Sequence, residues 1–208
     1  MGQSVFALLL FAATVSGPAP RELVERSVQS VLEVIDHRGL PMASDRGASV
    51  AGRPDKRRAQ IRAIAEDLFD FEEVARRALS VHWAGRTPAE RAEFTGLFTD
   101  LLERAYMGKI ESYAGETILY TTEKVDGDFA LVRSRIVPKR RLTVQGRETG
   151  LEYRLLRREG RWKVSDVLID GVSFVSTYRS QFDRIIKGSS YAALVDRLRD
   201  SGAEARLR

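Results

Sequence analysis

The spacing of apolar residues changes near Glu116, and this change restricts the possible folds more than any other feature of the sequence. Before it, apolar residues recur at the helical period, as on one face of an amphipathic helix. After it, apolar and polar residues alternate, as in strands with one buried face. Helices followed by hairpin-linked strands predict an α+β fold, in which helices pack on one face of a mainly antiparallel, twisted sheet.

Local signals indicate where several elements begin. Thr87, Pro88 and Glu90 combine an N-cap hydroxyl, a proline at the first helical position and a capping carboxylate, so they predict the start of a long helix. Asp70 with Glu73 gives a similar start for a short helix. The predicted elements are helices over 21–35, from 54, over 71–79 and over 88–113, a loop over 37–53, strands over 117–125, 129–137, 142–145, 149–157 and 161–169, and closing helices over 173–187 and 190–199.

Length and composition predict one domain that needs no covalent or metal support. A chain of 208 residues can bury about 70% of its unfolded surface. The sequence has no cysteine, which excludes a disulfide framework, a thiolate metal site and a lipid-modified N-terminal cysteine. We therefore expect a single domain over 21–208.

Residues 1–20 form an uncharged segment that is similar to a signal peptide. Its apolar run, from Val5 to Val15, is too short to span a bilayer but suits a signal-peptide core, which predicts export. No Lys or Arg precedes the run, and prolines stand at 18 and 20. Three alternatives stay open: a start further upstream, a degenerate signal, and an apolar N-terminus that is disordered or packs on the core.

Positive charge is concentrated in the strand region. The net charge is +5, and eleven Lys and Arg but only three acidic residues lie between Arg133 and Lys163. Such a surface can bind anionic lipid or an acidic protein, and an ordinary solvated face with cross-strand partners is an equal alternative. Nucleic acid is not an expected partner, because the aromatic residues here, Tyr153 and Trp162, fall on the apolar side. The residues that we expect to form this basic docking face are Arg133, Arg135, Arg154, Arg157 and Lys163.

The sequence contains no recognisable catalytic or metal-binding motif. His37 and His82 lack partners at metal-ligand spacing, and the sequence has neither a P-loop nor a nucleophile elbow. We therefore expect no catalytic residue, no metal and no cofactor. One alternative is a small enzyme in which Asp166 or Asp170, buried beside a pocket, acts as an acid or base on an apolar substrate.

Six segments of the chain form a specific pattern through their order and spacing: Leu68–Phe71, Ala78–Trp83, Thr87–Phe94, Tyr153–Leu155, Gly160–Val167 and Gly171–Phe182. In this order and spacing they resemble the MlaC family of periplasmic phospholipid carriers, which are also described as toluene-tolerance auxiliary proteins of ABC transport systems. At one position the chain departs from the family pattern, because Ser80 stands where members usually carry glycine.

The resemblance implies a fold similar to the nuclear-transport-factor-2-like and cystatin-like folds, with an apolar cavity between helices and sheet. A phospholipid would be held there as cargo, with its acyl chains in the cavity. The apolar residues alone are equally consistent with a filled core, so the cavity is implied by the resemblance only. The implied lipid-binding residues are Phe94, Phe98, Leu101, Leu102, Tyr106, Val132, Ile136, Tyr153, Leu155, Val167, Ile169, Val172, Val175, Tyr178 and Phe182.

The resemblance also implies a role in outer-membrane lipid asymmetry. A lipid carrier domain over 21–208 would shuttle phospholipid through the periplasm between an inner-membrane ABC transporter with an MCE-domain subunit and an outer-membrane lipoprotein complex. Contact with each membrane would be transient. A carrier of the same fold for a hopanoid-like lipid is the main alternative.

Overall fold

The computed structural model describes residues 17–36, 53–138 and 147–206. The predicted loop as far as residue 52, the predicted strand over 142–145 and most of the signal-like segment lie outside these residues. The described helices are α1 (Pro20–Asp36), α2 (Arg53–Leu68), α3 (Phe71–Leu79), α4 (Pro88–Glu111), α5 (Phe174–Gly188) and α6 (Tyr191–Arg206). The described strands are β1 (Thr117–Asp126), β2 (Phe129–Val137), β3 (Thr149–Arg158), β4 (Arg161–Ile169) and β5 (Val172–Ser173).

Side-chain caps fix the starts of α3 and α4, as predicted. Thr87 Oγ1 accepts the Glu90 N–H at 3.2 Å, and Glu90 Oε2 accepts the Thr87 N–H at 2.8 Å, which completes the capping box of α4. Asp70 Oδ1 accepts the Glu73 N–H at 2.9 Å at the start of α3. Each bond satisfies an amide that would otherwise lack a partner in the first helical turn.

The five strands form one antiparallel sheet in the order β1-β2-β3-β4-β5. The short strand β5 is an addition to the predicted set. It exists because Asp170 and Gly171 both adopt positive φ, 48° and 83°, and so form a two-residue turn that folds Val172 back onto Ile169. This turn leads directly from the sheet into α5.

The strand register assigns each side chain to one of two faces, because directly paired residues lie on the same face. The row formed by Tyr120, Ser134, Leu151 and Ile169 lies on the face that the helices cover. We call the opposite side, which carries Arg133, the outer face.

The buried residues form two main cores and a smaller third one. The helical core, around Phe94 and Phe98, joins α3, α4, α5 and α6. The sheet core, around Val132 and Tyr153, is covered by Val24 of α1 and by the end of α2. The N-terminal half of the apolar stripe of α4 is therefore buried by α3, α5 and α6, and not by the sheet.

The start of α1 is held on the sheet by a capping bond from a distant strand. The backbone N–H of Arg21 donates to Glu123 Oε1 of β1 at 2.9 Å, and Val24 beside it is fully buried. At the other end of the helix, Ile35 packs with Ile61 of α2 and Met107 of α4 in the third core. The helix thus lies across the sheet and is attached at both ends.

Candidate lipid-binding site

Apolar side chains that are only half-buried occur on α1, α4, α5 and the sheet. Such side chains are unusual between layers of a small domain, where facing surfaces normally bury each other. On the sheet they lie at one end of the helix-covered face, beyond the filled sheet core. We call the following residues the half-buried apolar set: Val28, Val31, Leu32, Leu101, Leu102, Tyr106, Ile110, Ile118, Tyr120, Ile136, Leu151, Ile169, Phe174 and Tyr178.

The elements that carry this set are joined in a ring. The third core connects α1 to α4, and the rings of Tyr106 and Phe174 stack at 4.4 Å to connect α4 to α5. Phe174 also packs against the sheet core, and Val24 connects the sheet back to α1. An apolar ligand binds where several elements present apolar side chains that are not fully buried, and this ring has that arrangement.

Aromatic side chains rigidify the α4–α5 side of this ring. Tyr178 meets Phe98 edge-on at 5.0 Å, and Phe182 meets both Phe94 and Phe98 in the same way at 5.6 and 5.1 Å. Burial raises the pKa of both Tyr106 and Tyr178, so each stays a neutral hydroxyl at physiological pH. These two side chains therefore add no charge that would oppose an acyl chain.

Two grooves open along the sides of α1. One, of about 590 Å³, lies between α1 and β1, and its lining includes Val28, Leu32, Ile118 and Tyr120 of the half-buried apolar set. The other, of about 670 Å³, lies between α1 and α2 and reaches Trp162. A ligand chain could therefore reach the helix-covered face of the sheet from either side of this helix.

Comparison with known proteins places the chain in a family. The family model described as "MlaC protein" matches residues 41–200, which is most of the chain. The chain belongs to the MlaC family. Its fold also matches a solved structure of a phospholipid-binding protein from Ralstonia solanacearum in complex with a phospholipid, with a TM-score of 0.73 and 24% identity over 90% of this chain and 98% of that one.

The structure distributes the sequence-predicted lipid-binding residues of this MlaC-family chain over several environments. One group is packed within the helical core: Phe94, Phe98, Val175 and Phe182. Another is packed within the sheet core: Val132, Tyr153, Leu155 and Val167. The third belongs to the half-buried apolar set: Leu101, Leu102, Tyr106, Ile136, Ile169 and Tyr178.

Val172, one of the predicted lipid-binding residues, is largely exposed at the edge of the sheet. Its side chain is 62% exposed. The physical reason is the tight turn at Asp170 and Gly171, which pairs Val172 with Ile169 at the sheet edge, where no helix covers it. Phe174, two residues further on, reaches the sheet core instead.

Three of the five predicted docking residues share the outer face, and each of them is ion-paired there. Arg133 and Arg154 both bind Glu152, at 2.8 and 3.1 Å, and Arg135 binds Glu148 at 3.1 Å. Their side chains are about half exposed. Among the described residues, this surface is therefore a mixed-charge network with a small positive excess.

Arg157 does not lie on the outer face, and Lys163, although its pairing with Leu156 places it on that side of β4, is not part of the ion-paired group. Arg157 is paired with Trp162, so it lies on the helix-covered face, and its guanidinium sits over the Trp162 ring at 4.4 Å. Lys163 points at the end of α2, where its Nζ donates to the backbone carbonyl of Asp67 and pairs with the Asp67 carboxylate. Both side chains therefore make contacts within the protein.

The two carboxylates considered for catalysis hold the α5 junction together. Asp166 is 6% exposed, and its oxygens accept the Ser173 hydroxyl at 2.7 Å and the Val175 N–H at 3.2 Å. Asp170 Oδ1 accepts the Gly150 N–H at 2.8 Å in the turn. Both carboxylates therefore have structural partners, and nothing in their surroundings favours the enzyme alternative.

His82 is likewise tied to a structural partner. Its Nε2 lies 2.9 Å from Asp183 Oδ1 on α5. Among the described residues there is no cluster of His, Cys, Asp and Glu suited to a metal ion. A search of the same residues for helices with the length and apolar character needed to cross a bilayer found none.

Sequence reasoning missed several residues of the site. The helical period predicts that Phe174 of α5 and Val28 and Leu32 of α1 are buried, but it does not distinguish a side chain that faces a ligand from one in an ordinary core. Tyr120 and Ser134 were not predicted as site residues, because each places a polar group at a position where the alternating pattern leads one to expect an apolar side chain. The alternation of β1 and β2 does place both of them on the helix-covered face.

Proposed function

We propose that this MlaC-family protein is a phospholipid carrier that holds the acyl chains of its cargo against the half-buried apolar set. The observation that carries the proposal is the ring of α1, α4, α5 and the sheet, each with apolar side chains that its neighbours leave partly uncovered. The related fold of the Ralstonia solanacearum protein, which was solved with a bound phospholipid, supports it.

A carrier of this kind needs apolar surface and no chemistry. Burying about thirty methylene groups away from water is worth roughly 25 kcal/mol, at about 0.8 kcal/mol each. The same chains are already dry in a membrane, so a useful carrier must bind them about as well as the bilayer does and not much better. Partly open apolar surface, with few polar contacts, meets this requirement.

The route that we propose is the one that family membership favours. The protein would work in the periplasm, where it would exchange phospholipid with an inner-membrane ABC transporter carrying an MCE-domain subunit and with an outer-membrane lipoprotein complex. Of the predicted docking residues, we retain Arg133, Arg135 and Arg154, which are half exposed on the outer face. This face lies on the opposite side of the sheet from the half-buried apolar set, so docking need not disturb the cargo.

The direct test is native mass spectrometry of the full chain, purified without detergent, followed by extraction and identification of what co-purifies. We expect a mass increment of one phospholipid, released on unfolding. A hopanoid-like lipid in its place would favour the alternative carrier. A protein that is lipid-free and takes up no phospholipid from vesicles would overturn the proposal.

A further inference from the structure

Two hydroxyl groups on the helix-covered face of the sheet are buried without a hydrogen-bond partner. Tyr120 of β1 is directly opposite Ser134 of β2 in the strand register. Ser134 is 1% exposed, and among the described residues neither its Oγ nor the Tyr120 hydroxyl meets a donor or acceptor. Buried hydroxyl groups are nearly always paired, because leaving one unpaired forfeits its bonds to water.

A third hydroxyl lies beside them. Tyr153 is 7% exposed, and its hydroxyl is near Ser134 but outside hydrogen-bond geometry. Burial raises the pKa of Tyr153 to about 12. Burial, with a smaller effect of the Tyr153 hydroxyl, also raises the pKa of Tyr120. All three groups therefore remain protonated near neutral pH and can donate hydrogen bonds.

These hydroxyls lie between a polar rim and an apolar interior. Tyr120 lines the groove between α1 and β1, and the polar part of that lining includes Glu25, Arg26, Gln29 and Glu33 beside the apolar residues named above. In the other direction, the row that contains Tyr120 and Ser134 continues into Leu151 and Ile169 of the half-buried apolar set. Along this path, polar groups, hydroxyl donors and apolar side chains follow one another. A diacyl phospholipid has the same order, with a headgroup, ester carbonyls and chains.

We propose that Tyr120 and Ser134 donate hydrogen bonds to an ester carbonyl oxygen of the bound lipid, and so make the protein select ester-linked over ether-linked chains. This inference rests on the proposed carrier function and adds a specificity determinant to it. An ester carbonyl is a pure acceptor, which suits two hydroxyl donors, and a diether lipid has no oxygen at the position of that carbonyl. A buried water would also satisfy the hydroxyls, but it would give no preference between the two lipids.

The experiment offers the full-length protein a choice of two lipids. Vesicles contain equal amounts of diester and diether phosphatidylglycerol with identical chain lengths, and native mass spectrometry measures the ratio of the two lipids on the protein. We expect the diester form to be enriched roughly three- to tenfold, the effect of one or two neutral hydrogen bonds. In the double variant Tyr120→Phe, Ser134→Ala, we expect the ratio to fall to about one while the total bound lipid is kept.

Matched variants control for the loss of hydroxyls elsewhere. Tyr191→Phe removes a hydroxyl that donates to the Glu90 carbonyl at 3.1 Å, and Ser180→Ala removes one that donates to the Ser176 carbonyl at 3.0 Å. Both should keep the diester preference. If the double variant fails to fold, the single variants Ser134→Ala and Tyr120→Phe give the same readout, since each should lower the ratio.

The outcomes separate this inference from the carrier function itself. Equal loading of both lipids by the unmodified protein would overturn the ester contact, and so would an unchanged preference in the folded double variant. Loading of neither lipid would reject the carrier function. If all variants still bind lipid, and only the Tyr120 and Ser134 variants lower the ratio of diester to diether lipid, the contact is established.

Discussion

At the scale of single residues, the backbone at Ser80 is held in a conformation that suits glycine. Ser80 follows the last turn of α3 with φ 52° and ψ −122°, and its N–H caps the helix by donating to the Arg76 carbonyl. A side chain in this region of φ and ψ costs roughly 1–3 kcal/mol. A glycine at this position would avoid that strain, because it has no Cβ.

We expect Ser80→Gly to raise the free energy of unfolding by about 1 kcal/mol, after the larger chain entropy of glycine is subtracted. Urea unfolding measures this directly. Ser80→Ala is the matched control, because it removes the hydroxyl but keeps the Cβ and the strain. A Ser80→Gly variant no more stable than Ser80→Ala would contradict the explanation.

Glu73 is a buried carboxylate that connects α3 to the end of β3. It is 2% exposed and binds Arg76 and Arg77 of its own helix and Arg158 of β3, at 2.6 to 2.9 Å. Burial opposes its ionisation, but the hydrogen bonds from Arg76 and Arg77 outweigh that effect and lower its pKa to about 2. The carboxylate therefore stays charged in the folded protein down to strongly acidic pH.

This lowered pKa predicts acid sensitivity with a definite sign. Between the ordinary glutamate pKa and about pH 2, the unfolded chain binds a proton at Glu73 that the folded protein does not, so stability falls as the pH is lowered. Because the arginines are partly exposed, we expect a contribution of roughly 1–2 kcal/mol. Unfolding free energies at pH 6 and at about pH 3 should differ less in Glu73→Gln than in the unmodified protein, and an identical difference would exclude Glu73 as the source.

At the scale of elements, the two faces of β1, β2 and β3 offer different environments to large side chains. Ile136 is half-buried at the end of the helix-covered face, where we propose that the lipid binds. Leu155 is 1% exposed and packed in the sheet core. Leu119 lies on the outer face and is 44% exposed. Substitution by tryptophan at each of these three positions therefore distinguishes a ligand-binding space from packed core and from a solvent-exposed surface.

We expect Ile136→Trp to reduce bound phospholipid severalfold with little loss of stability, because the indole takes the place of acyl chain. Leu155→Trp should instead cost roughly 1–3 kcal/mol by overpacking, and Leu119→Trp should change neither property. Native mass spectrometry and thermal unfolding of the three variants measure both properties. Strong destabilisation by Ile136→Trp without lipid loss would mean that this end of the sheet is ordinary core.

At the scale of the whole molecule, the binding side and the charged side of the sheet are separate. The half-buried apolar set lies on the helix-covered face, and Arg133 and Arg135 lie on the outer face with their carboxylate partners. Charge on an exposed surface mainly changes the rate of encounter with a charged partner and leaves the affinity for a buried ligand little changed. Delivery and cargo binding should therefore respond to different substitutions.

Reversing Arg133 and Arg135 to Glu should slow phospholipid transfer to anionic vesicles by roughly tenfold at low salt, and the difference should shrink as salt is added. The amount of bound lipid should not change. Arg179→Glu with Arg184→Glu is the control, since it makes the same change of charge on exposed positions of α5. Equal transfer rates for the two double variants across a range of salt would assign Arg133 and Arg135 to an ordinary solvated face.

Apart from strand β5 and the end of α6, which continues to Arg206 beyond its predicted end at 199, the sequence by itself determined the order and approximate bounds of the described elements and the caps of α3 and α4. These features depend on residues within one or two helical turns of each other, so the local pattern contains the necessary information. Alternation also placed most strand residues on the correct face. It even applies to Arg157, whose spacing from Tyr153 and Leu155 matches the helix-covered face, although its charge suggested the opposite side.

Only the tertiary structure decided which apolar residues are packed and which are left half-covered. Val164 and Val167 both face the helices because β4 has a bulge between them, and simple alternation would separate them. Phe94 and Leu102 look alike in the sequence, but the first is buried by α5 and α6 and the second is not. A hydrophobic period reports that a side chain avoids water, and only the packing of distant elements determines whether protein or a ligand covers it.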